Sequence, residues 1–183
     1  KGMNMGKKEL RQLVLNQMKQ LSTDEKKLAD DWLTQRLLQS TAYQQAKVIA
    51  TYLSMPHEVD TSSFIVQALL DGKQILIPKT YPKGKMIFVE YDEKALQKST
   101  FGLLEPVSSL AVDKEEIDLI HVPGVVFHPK GFRIGYGGGY YDRYLADFKK
   151  QTISTIYQVQ QADFIPAKHD IAVKELITYE TNV

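Results

Sequence analysis

The feature that most restricts what this chain can fold into is a set of short β-branched runs. Each is cut off by proline or glycine, and helical periodicity lies between them. Val48 to Leu53 breaks at Ser54-Met55-Pro56, Gln74 to Ile77 is stopped by Pro78, and Ile117 to Val122 ends at Pro123-Gly124. Thr61 to Leu70 carries helix-type spacing up to Gly72, so the first two runs and this segment read as a β-α-β unit. Val125 to Phe127 follows the third run at once, and Ile153 to Tyr157 and Leu176 to Tyr179 supply later strands. Strands alternating with helices predict an open, mostly parallel α/β sheet covered on both faces.

Two helices precede this pattern. Leu10, Leu13, Val14, Met18 and Leu21 make one apolar stripe, and Ser22 with Glu25 forms a capping box that starts a second helix through Leu28, Trp32, Leu33 and Leu37. Together they predict a helical hairpin. Tyr81 to Tyr91 reads as a turn at Pro82-Lys83-Gly84 and an edge strand at Met86 to Val89, followed by a weak helical stretch and an irregular segment from Phe101 to Pro106. With no linker, repeat or low-complexity tract, a single domain over residues 1–183 is expected.

Composition narrows the chemistry. The 23 Lys+Arg and 22 Asp+Glu leave a formal charge of +1, too little for nucleic acid to be the main partner, so any anion must be held by a local site. The absence of cysteine among 183 residues excludes disulfide scaffolds, iron–sulfur clusters, thiolate zinc sites and thiol nucleophiles, and suits a reducing compartment. No window approaches a membrane span and Lys1 to Lys8 has no apolar stretch of the signal-peptide kind, so a cytoplasmic protein with no membrane partner is expected.

Chemistry concentrates between Val122 and Arg143. Five glycines lie between Gly131 and Gly139, and Gly135, Gly137, Gly138 and Gly139 allow the backbone to approach a ligand and turn N–H groups toward phosphate oxygens ahead of the helix-like Tyr140 to Phe148. It is not a Walker loop, because the Gly-Lys pairs at Lys73 and Lys85 are followed by Gln74 and Met86 rather than a hydroxyl. Nor is it a dinucleotide fingerprint, since Tyr140 stands where the third glycine would be. Arg133 at its entrance offers five donors for phosphate or carboxylate. Asp142 just beyond its end either complements a helix start or helps hold Mg²⁺ against a triphosphate. Tyr136, Tyr140 and Tyr141 suit a flat heteroaromatic ring, with one of the last two expected in the core. Taken alone, Glu58 reads as a loop carboxylate, and Lys7 and Arg11, one helical turn apart, as a solvated face.

The stretch Val122 to Leu145 closely resembles the signature of the 5-formyltetrahydrofolate cyclo-ligase family. The likeness extends to Lys7-Lys8-Glu9-Leu10-Arg11, to Tyr52 through Thr61, to Phe101-Gly102-Leu103-Leu104-Glu105-Pro106 and to His169-Asp170-Ile171. The resemblance implies an ATP- and Mg²⁺-dependent enzyme that converts 5-formyltetrahydrofolate to 5,10-methenyltetrahydrofolate with release of ADP and phosphate. It also implies a three-layer α/β/α fold with a mostly parallel central sheet, of the sugar-phosphate isomerase and CoA-transferase type. Carried over by position, it places Lys7, Lys8, Glu9, Leu10, Arg11 and the run Arg133, Ile134, Gly135, Tyr136, Gly137, Gly138, Gly139, Tyr140, Tyr141 at ATP, with Arg133 and Lys7 stabilising charge in catalysis. Leu53, Glu58 and Tyr136 to Tyr140 are placed at folate, and Asp142 and Asp170 at Mg²⁺. Small-molecule partners and a monomer are expected.

Two departures accompany the likeness. Residues 1–6 do not fit the family's start and are expected to be partly foreign to it. His128 stands where the family usually has aspartate: if that aspartate only shapes the turn before the glycine loop, His128-Pro129 can substitute for it, and if it handles a metal or proton, slower or differently pH-dependent catalysis is expected. Lys79, Lys83 and Lys85 are candidates for a glutamate tail if they are not simply solvated loop residues. A fold relative that keeps the phosphate loop and binds a nucleotide or RNA-like ligand without turning folate over, and a sugar-phosphate isomerase, are the competing readings.

Overall fold

The computed structural model describes residues 5–100 and 102–180. Its centre is a six-stranded sheet in the order β10-β9-β6-β1-β2-β3, and the strands enter along the chain as follows. After helices α1 (Lys7–Lys19), α2 (Thr23–Gln39) and α3 (Thr41–Gln45), the chain forms β1 (Val48–Ala50), α4 (Ser62–Leu70), β2 (Gln74–Tyr81) and β3 (Lys85–Glu90). A hairpin of β4 (Leu96–Lys98) and β5 (Leu104–Pro106) precedes β6 (Leu119–His121) and a second small hairpin, β7 (Val126–Phe127) with β8 (Arg133–Ile134). Then come α5 (Tyr140–Leu145), β9 (Gln151–Tyr157) and β10 (Glu175–Tyr179). All pairings in the main sheet are parallel except β2 with β3.

Alternation along the strands divides the core. Ile49, Ile75, Leu119 and Ile153 pack with Leu37, Tyr43, Phe64 and Ala68 from α2, α3 and α4. Their neighbours Ala50, Leu76 and Ile120 point the other way, to Phe88, Leu145 and Val173. Helices therefore flank a mostly parallel sheet, as the periodicity and the resemblance require.

The structure corrects four local expectations. Strand β2 continues through Pro78, which pairs with Phe88. Because the Tyr91 N–H donates to the Ile75 carbonyl, the antiparallel alternation turns the Pro78 nitrogen away from β3, toward the side where β1 has already ended, so no ladder bond is lost. The weak helical stretch is instead strand β4, paired with β5 in the segment expected to be irregular; Phe101 lies outside the described residues. The two N-terminal helices do not pack as a hairpin. Val14 and Met18 of α1 meet Val125, Val126 and Ile134, whereas Ala29 and Leu33 of α2 meet Tyr157, and Leu28 is exposed. Lys79 is a buried strand residue whose ammonium donates to the carbonyls of Val107 and Ser108 and to the Ser109 hydroxyl, so it is neither solvated nor free for a ligand.

The topology also fixes where a ligand can sit. From β1 the chain moves through α4 to β2 on one side, and it later returns to place β6 and β9 on the other. The carboxyl ends of β1 and β6 thus flank the point where strand order reverses, the usual binding crevice of open α/β sheets. The segment after β1 carries His57 and Glu58, and the one after β6 leads to the glycine loop.

Candidate functional site

Glu58 is held by a tight turn after β1. Its N–H donates to the Met55 carbonyl, and the Met55 N–H returns a bond of 2.7 Å to Glu58 Oε1. The residue is only 5 % exposed. Burial pushes its carboxyl above the usual range, outweighing the Met55 N–H, the Tyr136 hydroxyl and the Lys26 charge that favour ionisation. Tyr136 comes from the glycine loop and donates its hydroxyl to Glu58 Oε2 at 2.9 Å, while His57 Nε2 lies 2.8 Å from the same hydroxyl. Burial and the Glu58 charge raise the Tyr136 phenol far above its ordinary value, so it remains a donor.

Arg133 is on strand β8 rather than in a loop, and it is 6 % exposed. Its guanidinium lies 5.2 Å from the Tyr141 ring centre and sits in the field of Asp142 and Asp170. Burial lowers its pKa against those carboxylates, yet a guanidinium in this range stays charged. Among the described residues, Arg133 Nε and the Tyr141 hydroxyl are the two buried side-chain polar atoms without a hydrogen-bond partner. The Tyr141 phenol is raised mainly by burial, with the Arg133 charge lowering it and the Glu58 charge raising it. Buried orphans are rare because each forfeits its hydration, and an unpartnered donor is a group that a ligand's oxygen would satisfy.

Asp170 repeats the Glu58 turn. Its N–H donates to the Ala167 carbonyl, and the Ala167 N–H donates to Asp170 Oδ2 at 2.8 Å. Lys7, the first residue of α1, reaches that same oxygen at 3.2 Å. Burial would raise the Asp170 carboxyl, but the Ala167 N–H, Lys7 and His169 prevail and hold it below its usual value. Asp142 Oδ1 accepts the N–H of Ile171, the residue after Asp170, which ties α5 to the Asp170 turn. No group of three or more His, Asp or Glu residues suited to a metal occurs among the described residues. Two carboxylates beside an anion site are nevertheless the sparse donor set that Mg²⁺ accepts when phosphate oxygens and water complete its shell.

The loop between these ends depends on glycine at defined points. Gly137 has φ +108° and Gly139 has φ +71°, and a Cβ on Gly135 would come within 2.9 Å of an Arg133 guanidinium nitrogen. Arg11 Nε donates to the Gly135 carbonyl at 2.7 Å, fastening α1 to the loop. α5 is only six residues long, so loop amides, Arg133 and Arg11 rather than a long helix dipole supply positive potential.

The remaining predicted residues divide by where their side chains go. Leu10, Leu53, Ile134 and Tyr140 are turned into apolar clusters, Tyr140 with its hydroxyl on the Tyr81 carbonyl, so Leu10 and Ile134 offer a ligand mainly backbone. Glu9 folds back over Gly6 at the start of α1, and Lys8 is exposed. His128 accepts the Lys130 N–H on Nδ1, the i to i+2 bond that an aspartate makes in an Asx turn, and its ring packs against Phe132 and Phe164. That geometry favours the turn-shaping account of this departure. Sequence reasoning missed His57, because nothing local indicates that a residue after Pro56 meets Tyr136.

A family model described as the 5-formyltetrahydrofolate cyclo-ligase family matches residues 3–179. The chain belongs to that family. A 5-formyltetrahydrofolate cyclo-ligase from Haemophilus influenzae is 31 % identical over 149 residues, covering 77 % of this chain and 80 % of the relative. Its counterpart from Mus musculus is 30 % identical over 190 residues, with 95 % and 94 % covered. Among solved structures, a 5,10-methenyltetrahydrofolate synthetase from Aquifex aeolicus aligns with TM-score 0.81 and 31 % identity over 95 % of this chain and 90 % of that one. One from Mycoplasma pneumoniae aligns with TM-score 0.78 and 26 % identity over 94 % and 98 %. The family is one of enzymes, cyclo-ligases of folate one-carbon metabolism, as the sequence led us to expect. No helix among the described residues is long and apolar enough to cross a membrane.

Proposed function

We propose that this chain converts 5-formyltetrahydrofolate to 5,10-methenyltetrahydrofolate at the expense of ATP, with Mg²⁺, releasing ADP and phosphate, as a single-domain monomer in the cytoplasm. The observation that supports this most is the pair of buried, unpartnered donors, Arg133 Nε and the Tyr141 hydroxyl, the first in the field of Asp142 and Asp170 and the second in that of Arg133 and Glu58. Against a module that only binds a nucleotide or RNA-like ligand stand the near-zero net charge and the presence of both folate-side and ATP-side blocks, and a sugar-phosphate isomerase needs neither ATP nor a pterin pocket.

At the folate end, Glu58 is a hydrogen-bond acceptor for the N–H edge of the pterin. Two of its lone-pair positions are taken by Met55 and Tyr136, and two remain. A buried acceptor of this kind rejects rings that lack the matching donors, because it would be left unpaired. At the phosphate end, Arg133, Lys7, Arg11 and the amides of Gly135 to Gly139 neutralise charge on the triphosphate. Asp142 and Asp170 would hold Mg²⁺, which when bound supplies further charge neutralisation at phosphate oxygens.

The N5-formyl oxygen attacks the γ-phosphorus of ATP and ADP leaves, giving an activated imidate-type phosphate. N10 then adds to the formyl carbon, the N10 proton departs, and phosphate is expelled with closure of the ring. An amide-like formyl group has a poor leaving oxygen, and phosphorylation converts it into a good one. The protein's task is alignment and charge stabilisation, and alignment alone lowers such a barrier by roughly 7 to 11 kcal/mol. No covalent nucleophile is needed.

The test is the near-ultraviolet absorbance of 5,10-methenyltetrahydrofolate on mixing protein, 5-formyltetrahydrofolate and Mg²⁺. A rise that requires ATP is expected. A folded sample that gives none would favour the binding-module reading.

A further inference from the structure

We infer that His57 is a positioning residue that holds the Tyr136 ring against Glu58 and thereby sets how well the folate end of the site is formed; this rests on the reading of Glu58 given above. Tyr136 lies between Gly135 and Gly137, is 46 % exposed, and belongs to none of the apolar clusters. A half-exposed side chain on a glycine-flanked loop has a large conformational entropy to lose, and few packing contacts to offset it. Its place is therefore set by its hydroxyl, which has two protein partners: Glu58 Oε2 at 2.9 Å and His57 Nε2 at 2.8 Å.

The direction of these bonds follows from the inventory of protons. The Tyr136 hydroxyl donates its single proton to Glu58 Oε2. The hydroxyl oxygen is then left as acceptor, and His57 must donate through Nε2–H. Burial, with Lys19 and Lys26 nearby, lowers the His57 pKa, so near neutral pH the ring is neutral, and the bond to Tyr136 selects the Nε2–H tautomer. The rings of His57 and Tyr136 also meet edge to face, with centroids 6.1 Å apart. His57 follows Pro56 in the turn after β1, 79 residues from Tyr136, and so ties the glycine loop to the turn that carries Glu58. Without it, Tyr136 keeps one hydrogen bond on a loop free to swing, and the wall of the pterin pocket is lost for part of the time.

The test compares His57→Ala, His57→Phe and His57→Gln with wild type. Gln places an amide N–H where Nε2–H was, whereas Phe keeps the ring and removes the donor. KM for 5-formyltetrahydrofolate should rise about three- to tenfold in the Ala and Phe variants, the effect of one lost hydrogen bond, and return to within about twofold of wild type in Gln. KM for ATP and the melting temperature should stay nearly constant in all three. Unchanged folate KM in His57→Ala overturns the proposal, as does full rescue by Phe, which would make the contact one of ring packing. In the ligand-free protein, amide exchange across residues 135–139 should accelerate in His57→Ala and be restored in His57→Gln; equal exchange in wild type and Ala also overturns it. Because exchange needs no turnover, an inactive wild type would sink the functional reading while leaving the positioning question answered.

Discussion

Glu58 and Asp170 are built on the same local device. In each case the residue's N–H bonds the carbonyl three positions back, and its carboxylate accepts that residue's N–H in return. What differs is the second partner: Tyr136, a neutral donor, at Glu58, and Lys7, a cation, at Asp170. Burial wins at Glu58 and raises its pKa, whereas at Asp170 the Ala167 N–H and the Lys7 charge overcome burial and lower it. One turn thus yields either a buried acceptor suited to reading hydrogen-bond donors or a firmly ionised group suited to a cation. The surroundings, supplied by distant parts of the chain, decide which.

The comparison breaks most visibly at the end proposed to hold phosphate. Asp142→Asn keeps an oxygen for the Ile171 N–H but removes the charge, so kcat should fall on the order of a hundredfold, with the melting temperature shifted by no more than about 2 °C. Unchanged turnover would remove Asp142 from metal binding. At the end proposed to hold folate, Glu58→Gln should raise KM for 5-formyltetrahydrofolate by roughly ten- to a hundredfold, the range for leaving a buried hydrogen-bonding partner unsatisfied, and leave KM for ATP within about twofold. Equal damage to both constants would mean that the two ends are not separate.

Beneath the site lies a histidine of another kind. His121 is 1 % exposed, with Nδ1 and Nε2 each 2.9 Å from the hydroxyls of Thr51 and Thr155, and burial lowers its pKa from 6.5 to about 3. The unfolded chain therefore binds this proton at a higher pH than the folded one does. Its contribution is complete above pH 6.5 and is lost as pH falls toward 3, by at most about 1.4 kcal/mol per pH unit. Urea melts at pH 5 and pH 7 should show this slope in wild type and a flatter one in His121→Gln; parallel slopes would contradict it. The smallest effect is expected at His128→Asp, which can make the same turn bond to the Lys130 N–H. Activity and stability within about twofold and 0.5 kcal/mol of wild type would confirm a turn role, and a large change in kcat would return this position to the chemistry.

Much of this was legible in the sequence, where local physics governs. Ser22 and Glu25 form the capping box they announce, and the β-branched runs at Val48, Ile117 and Ile153 lie in the centre of the sheet. The glycine loop was legible because backbone with positive φ leaves a compositional trace. What escaped depends on partners far along the chain. Pro78 is tolerated in β2 only because β1 is short, and Lys79 is buried only because residues 107–109 fold over it. The Tyr136 bond to Glu58 spans 78 residues, and no local pattern signals such a pair. His57 and the orphaned Tyr141 hydroxyl are invisible for the same reason.

The central claim is that the site has two ends, each governed by its own carboxylates. It is tested most directly by titration calorimetry of Glu58→Gln and Asp142→Asn with 5-formyltetrahydrofolate alone and with Mg²⁺-ATP alone. The account predicts a crossed result: Glu58→Gln weakens the folate by about tenfold or more and spares the nucleotide, and Asp142→Asn does the reverse. Two variants that each weaken both ligands equally, or neither ligand at all, would contradict it.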